Sequence, residues 1–173
     1  MKKLTLLIVM LLATVGAKAG IQNPENAKYY GVFVYQFSKY TVWPASMAAT
    51  ETFVIGVMGN TPIKEGLDQL AAAKKINNRQ IVVKTISNTD EIAGCHLLFV
   101  PNSSMKQLPS ILKATVRHSV LLITEANNGA AKGAVINFIE ENGKLSFEIS
   151  VTNATRHGLK LSSNLQQLGR MVS

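Results

Sequence analysis

Phe53-Val54-Ile55-Gly56-Val57-Met58-Gly59-Asn60-Thr61-Pro62 is the stretch that decides the fold. Its first six residues are continuously apolar, as a strand must be when both its faces are covered; a half-exposed strand would alternate. Gly59-Asn60 stops the run. Pro62 then opens a helix to about Lys75, with Leu67, Leu70 and Ala71 facing inward. A doubly buried strand feeding an amphipathic helix is the first half of a βαβ unit.

Outward from this stretch the pattern repeats. Ile76-Asn77-Asn78 is expected to end the helix, and the β-branched Ile81-Val82-Val83 forms the next strand. A short turn or helix lies around Asp90-Glu91-Ile92, followed by the wholly apolar Leu97-Leu98-Phe99-Val100. Asn102-Ser103-Ser104 reads as the cap of a helix carrying Met105, Leu108, Ile111 and Leu112, and Val120-Leu121-Leu122-Ile123 follows as a strand. Strands and helices in this alternation predict an α/β fold: a three-layer sandwich whose mainly parallel sheet has helices on both faces. The ending departs from it. Residues 134–140 and 145–151 alternate apolar with polar around Asn142-Gly143, the strongest short signal for a two-residue hairpin. An antiparallel β-hairpin therefore closes the sheet, and Leu159 to about Leu168 is expected to form a last helix.

Upstream, Asn23-Pro24-Glu25 opens a helix with an Asn cap, a Pro at the first position and an acid in the first turn. Tyr30, Phe33, Val34 and Phe37 recur at i, i+3, i+4 and i+7, an apolar core stripe. This helix should end before Trp43-Pro44, because a residue preceding proline avoids the α region. Further upstream, Lys2-Lys3, the apolar run Leu4–Val15 and the small-residue site Ala17-Lys18-Ala19 have the three-part layout of a secretory signal peptide. The apolar run is shorter than the ~20 residues of a spanning helix. Cleavage after Ala19 would leave Gly20–Ser173, 154 residues, as a single exported domain.

Composition narrows the function. Without the leader's three lysines the formal charge falls from +8 to +5, and the remaining basic residues are scattered. That argues against nucleic-acid binding. The single cysteine, Cys95, lies between apolar neighbours, which points to a buried, unpaired thiol rather than an intermolecular bridge. Chemistry is sparse. No phosphate-binding GxGxxG or GxxxxGK[ST] occurs, no GxSxG elbow, and no metal-ligand spacing among His96, His118 and His157. The chain reads as a binding protein and not an enzyme, with no cofactor and no metal. Two loops should lie at the C-terminal ends of parallel strands, where open α/β sheets hold ligands: Gly59-Asn60-Thr61 and Asn102-Ser103-Ser104.

Three ordered elements carry a family resemblance. They are Phe33-Val34-Tyr35-Gln36-Phe37-Ser38-Lys39-Tyr40 running into Trp43-Pro44; Cys95-His96-Leu97-Leu98-Phe99-Val100; and Phe147-Glu148-Ile149-Ser150 with Arg156-His157-Gly158-Leu159-Lys160-Leu161-Ser162-Ser163-Asn164-Leu165. Together they resemble the YfiR family of exported proteins. The resemblance implies a Rossmann-like sandwich and a periplasmic protein with a tendency to dimerise. It further implies repression of a membrane-bound diguanylate cyclase through the cyclase's periplasmic region, lowering cyclic di-GMP output and biofilm formation. Redox-responsive members carry paired cysteines, whereas here only Cys95 matches. A periplasmic small-ligand binder without a cyclase partner is the alternative. For partner contact, the dense polar run near the C-terminus nominates Arg156, Lys160, Ser162 and Ser163, with charge-assisted donors beside the hairpin face.

Overall fold

The computed structural model describes residues 27–173, so the leader and the Asn23-Pro24-Glu25 cap lie outside the described residues. Helix α1 (Ala27–Tyr40) runs into a two-residue strand β1 (Thr41–Val42), then a one-turn helix α2 (Ala45–Ala48). Strand β2 (Thr52–Met58), helix α3 (Ile63–Ala73), and strands β3 (Lys75–Ile76) and β4 (Arg79–Ile86) follow. A 3-10 helix (Thr89–Gly94) leads into β5 (Leu97–Pro101), and a second one (Asn102–Gln107) into α4 (Leu108–Arg117). The chain ends with β6 (Leu121–Glu125), the hairpin β7 (Ile136–Glu141) and β8 (Lys144–Ile149), α5 (Val151–Arg156), β9 (Lys160–Leu161), α6 (Ser163–Gln166) and β10 (Arg170–Met171).

Eight strands make the main sheet in the order β10-β8-β7-β6-β5-β2-β4-β3, and β1 pairs with β9 in a separate two-stranded ribbon. Strands β4, β2, β5, β6 and β7 run parallel; β8 turns back on β7 and β3 on β4. The expected α/β sandwich with its closing hairpin is therefore what forms. The continuous apolar reading of β2 holds because its residues alternate between two cores. Phe53, Ile55 and Val57 meet α1 and α3 in the larger core, while Val54 and Met58 meet Ile92, Leu108 and Ile111 in the smaller one. The aromatic stripe of α1 sits on the β7–β8 hairpin: Phe37 and Phe147 lie 4.8 Å apart edge to face, Tyr30 and Phe138 4.6 Å. Truncating a buried ring such as Phe37 would cost about 3–5 kcal/mol.

Three sequence expectations need correction. Ile76-Asn77-Asn78 does not merely end a helix. Asn77 and Asn78 adopt φ of 47° and 66°, the double left-handed turn that folds β3 back onto β4. Asn102, Ser103 and Ser104 cap nothing with their side chains: they form the first turn of the 3-10 helix after Pro101, and α4 starts only at Leu108 with a proline in its first turn. No helix spans Leu159–Leu168. The Ser150 hydroxyl caps a short helix earlier, at α5, and Gly158 with φ 69° ends it. The Ser162 hydroxyl then caps the single turn of α6.

Candidate functional site

From β2 the chain moves outward to β4 and then crosses back over β2 to β5, before continuing the other way to β6 and β7. The connections thus diverge between β2 and β5. At such a switch point an open sheet leaves a crevice beyond the C-terminal ends of its strands. The loops expected there do meet: a Cβ built on Gly59, whose φ is +68°, would stand 3.8 Å from Ser104 Oγ. Asn60 is exposed and Thr61 buried, and both line a shallow groove with Pro62, Lys64, Glu65 and Asp68, in which Lys64 and Asp68 pair at 2.7 Å.

A buried carboxyl that no sequence motif marks lies at this same end of the sheet. Glu125, the last residue of β6, is 4% exposed, and the Tyr30 hydroxyl of α1 donates to its Oε2 at 3.3 Å. Burial pushes the Glu125 carboxyl up to about 7, with the Tyr30 hydrogen bond pulling weakly the other way. The Tyr30 hydroxyl is itself driven well above its ordinary value by burial and by Glu125. A carboxyl held near neutrality by its surroundings is a feature that functional sites share with strained cores.

The opposite end of the sheet is more polar. His96 is buried and stacks on Phe53 at 4.6 Å. The Val54 N–H donates to its Nδ1 at 3.1 Å, so in this neutral ring Nε2 carries the proton and lies 2.9 Å from the Met47 carbonyl. Burial holds His96 below its ordinary range, and the nearby Arg79 guanidinium adds to this. Arg79, 9% exposed, donates from Nη1 to the Met47 carbonyl at 3.1 Å and to Thr50 Oγ1 at 3.2 Å, and its guanidinium lies 5.2 Å from the Phe53 ring centre. Trp43 Nε1 donates to the His96 carbonyl at 3.1 Å and its ring meets Phe53 edge to face. Nearby, His157 Nδ1 donates to the Val120 carbonyl at 2.9 Å, and Asn153 donates to the carbonyls of Ala130 and Ala134.

The residues nominated for partner contact lie at this end, far from the two loops. Arg156 and Lys160 are exposed and form no ion pair among the described residues. Lys160 does not flank the hairpin: it stands opposite Val42 in the β1–β9 ribbon, and Val42 is 59% exposed. Ser163 is exposed, whereas the Ser162 hydroxyl is occupied as the α6 cap, accepting from Leu165 N–H at 3.3 Å. The hairpin edge is also less open than the sequence indicates. Strand β10 runs along β8 at Glu148 and Ile149, and Arg170 bonds both Glu148 and Glu141. Cys95 is 1% exposed and unpaired, its sulfur 2.9 Å from where a Cβ on Gly56 would be, and burial pushes its thiol up to about 11. Among the described residues no group of three or more His, Cys, Asp or Glu side chains is placed to hold a metal ion. Nor is any helix among them long and apolar enough to cross a membrane.

Several solved structures share the fold, two of them as follows. A conserved domain protein from Vibrio cholerae O1 biovar El Tor superposes with a TM-score of 0.59 at 13% identity, over 85% of this chain and 60% of its own. The ABC domain of a Streptococcus pneumoniae protein, solved in complex with L-tryptophan, gives 0.50 at 12% identity, over 69% of this chain and 55% of its own. The chain thus spans less than two thirds of either structure, and at these identities the likeness concerns the fold alone. No curated protein matches the sequence. The model of one protein family does, over residues 28–170, from the second residue of α1 to the first residue of β10: this chain belongs to the YfiR/HmsC-like family, DUF4154.

Proposed function

We propose that the chain is a periplasmic regulatory protein that binds the periplasmic region of a membrane-bound diguanylate cyclase and represses it, lowering cyclic di-GMP and biofilm formation. Membership of the YfiR/HmsC-like family across residues 28–170 carries this reading. It includes export: cleavage after Ala19 frees Gly20–Ser173 as one domain, and the intact mass of the periplasmic form tests that step. The contact surface is the exposed end of the β1–β9 ribbon, where Lys160 stands opposite the exposed Val42, together with Arg156 at the end of α5; neither cation has an ion pair among the described residues. Ser163 adds a hydroxyl to that surface.

The experiment is capture of cyclase-containing membranes by the purified protein, with cyclic di-GMP synthesis measured in the same vesicles. Replacing Arg156 and Lys160 together by Ala should slow and weaken capture, by up to about tenfold at low salt, and leave the unfolding midpoint almost unchanged. Normal capture by the double variant would remove this surface from the reading. Failure of the unaltered protein to bind or repress any cyclase would remove the function itself. The convergence of Gly59 on Ser104 at the switch point supports a second reading, a small-ligand binder that uses Gly59-Asn60-Thr61 and Asn102-Ser103-Ser104.

A further inference from the structure

The chain's ten acidic residues are unevenly placed. Residues 102–119, 126–133 and 150–162 hold six cations, Lys106, Lys113, Arg117, Lys132, Arg156 and Lys160, and not one Asp or Glu. All six are exposed, and none forms an ion pair among the described residues. The fold brings these separate runs together. A Cβ on Gly133, beside Lys132, would fall 2.7 Å from Leu112 Cδ2 of α4. Asn153 of α5 reaches the same loop through the Ala130 and Ala134 carbonyls. Where α4 ends, a Cβ on Gly158 would stand 3.1 Å from Ser119 Oγ. Helix α4, the 126–133 loop and α5 thus adjoin one another and present charge of a single sign.

Helix α4 sets the outward direction. Its buried residues are Leu108, Ile111 and Thr115. At about 100° per residue, Lys113 points away from both Ile111 and Thr115, and Arg117 follows it one turn on. Val116, 42% exposed, lies between Lys113 and the Leu112 side, where the loop carrying Lys132 packs. The 3-10 helix Thr89–Gly94, beside α4, supplies two acids, Asp90 and Glu91. Glu91 is engaged by the Ser87 N–H and the Asn88 amide, and neither acid pairs with an α4 cation. A one-signed surface repels itself and gains from a dense anionic neighbour. The three runs carry no Phe, Tyr or Trp, so they offer no ring for the base stacking that single-stranded nucleic acid uses. Long cationic stems around an exposed valine on a convex helix face suit a fluid plane of anionic headgroups.

We propose that the face centred on Lys113, Arg117 and Lys132 rests on the anionic phospholipid surface of a bilayer without inserting into it. Arg156 stands where this face meets the surface proposed for the cyclase. The inference holds without that reading, because lipid alone is the probe and the variants leave Arg156 and Lys160 in place. The protein from Gly20 onward keeps every described residue and omits Lys2, Lys3, Lys18 and the leader's apolar run. It is sedimented with vesicles of phosphatidylglycerol and phosphatidylcholine in equal parts, with vesicles of phosphatidylcholine alone, and mixed with poly-L-glutamate.

Each cation near an anionic bilayer strengthens binding about fivefold, so Lys113, Arg117, Lys132 and Arg156 together give half-saturation on the order of 1 mM lipid at low salt. Phosphatidylcholine alone should not bind. Lys113→Glu with Arg117→Glu should weaken binding to the anionic vesicles about thirtyfold or more, and Lys132→Glu, on a separate element, about fivefold or more. Lys74→Glu with Lys75→Glu makes the same change in net charge at the β3 edge, outside this face, and should alter binding by less than about threefold. Unfolding midpoints confirm that each variant folds; should the α4 pair fail to fold, Lys132→Glu decides. Equal losses from the two pairs would overturn the proposal, since net charge alone would then drive adsorption. Absence of binding to the anionic vesicles would also overturn it, and capture of poly-L-glutamate in that case would assign the face to an acidic protein.

Discussion

Replacing Glu125 by Gln should stabilise the protein, and only above a particular pH. In the unfolded chain this carboxyl ionises from its ordinary value of 4.5 upward; in the fold, burial delays that to about 7. The native state therefore holds a proton that the unfolded state has lost, and stability falls as pH rises between these two values. Once pH exceeds the native value the full penalty applies, about 3 kcal/mol as an upper figure. Gln keeps an oxygen to accept from Tyr30 but adds an amide that needs its own partner, a loss of about 1 kcal/mol. The net gain at pH 8 is then about 2 kcal/mol, or roughly 4–8 °C in the unfolding midpoint for a domain of this size. At pH 4.5 the ionisation penalty is nearly gone while the amide cost remains, so the variant should there be slightly less stable than the parent, by up to about 1 kcal/mol. His96 and His157, both depressed by burial, act in the opposite sense: stability is lost as pH falls below 6.5, where the unfolded rings take up protons that the native rings refuse. The Glu125→Gln variant should therefore gain stability steadily from pH 5 to pH 8, while the parent gains less or declines. Urea titrations of both proteins across that range are the assay. An effect that is independent of pH, or a variant less stable than the parent at pH 8, would refute the argument that Glu125 is buried at the cost of its charge.

Cys95, enclosed and with its thiol raised to about 11, should resist a thiol reagent at pH 8 in the native protein and react at once in denaturant; rapid native labelling, or a reductant-sensitive dimer on a gel, would contradict this. Gly129→Ala should destabilise by about 3 kcal/mol, the upper end of the usual overpacking cost, because its Cβ would fall 2.2 Å from both Asn137 Oδ1 and Thr124 Oγ1. A thermal melt within 2 °C of the parent, or about 1 kcal/mol, would show that the Ala126–Gly133 loop yields freely.

Local chemistry made most of the architecture readable. Val54 and Phe53 are both apolar because each meets a different core, and Asn142-Gly143 turns as its backbone preferences require, with φ of 51° and 73°. Asn77-Asn78 makes the same kind of turn, but its flanking strand β3 has only two residues, too few to show a period of two. The C-terminal segment misled for a related reason. Leu161, Leu165 and Leu168 have helical spacing, yet Leu161 packs on the core from a ribbon strand and Leu165 reaches it from a single capped turn. The polar sites were less legible than the fold. Arg79 and Glu125 look like ordinary surface charges in sequence; only the α2 turn closing over one and α1 over the other bury them, and nothing in residues 77–81 or 123–127 records that.

The two edges of the main sheet bear on how the protein can be handled at high concentration. Each edge is a strand of only two residues, Lys75–Ile76 on one side and Arg170–Met171 on the other, and each carries a cation. Short charged edges offer little backbone for a neighbouring molecule to zip onto, so the fold is guarded against edge-to-edge polymerisation. The guard at β10 is Arg170–Met171. A fused tag with strand-forming residues after Ser173 would lengthen that edge and invite self-association, and loss of the last five residues would uncover the rest of β8. Expression work is better served by placing any affinity handle away from β10.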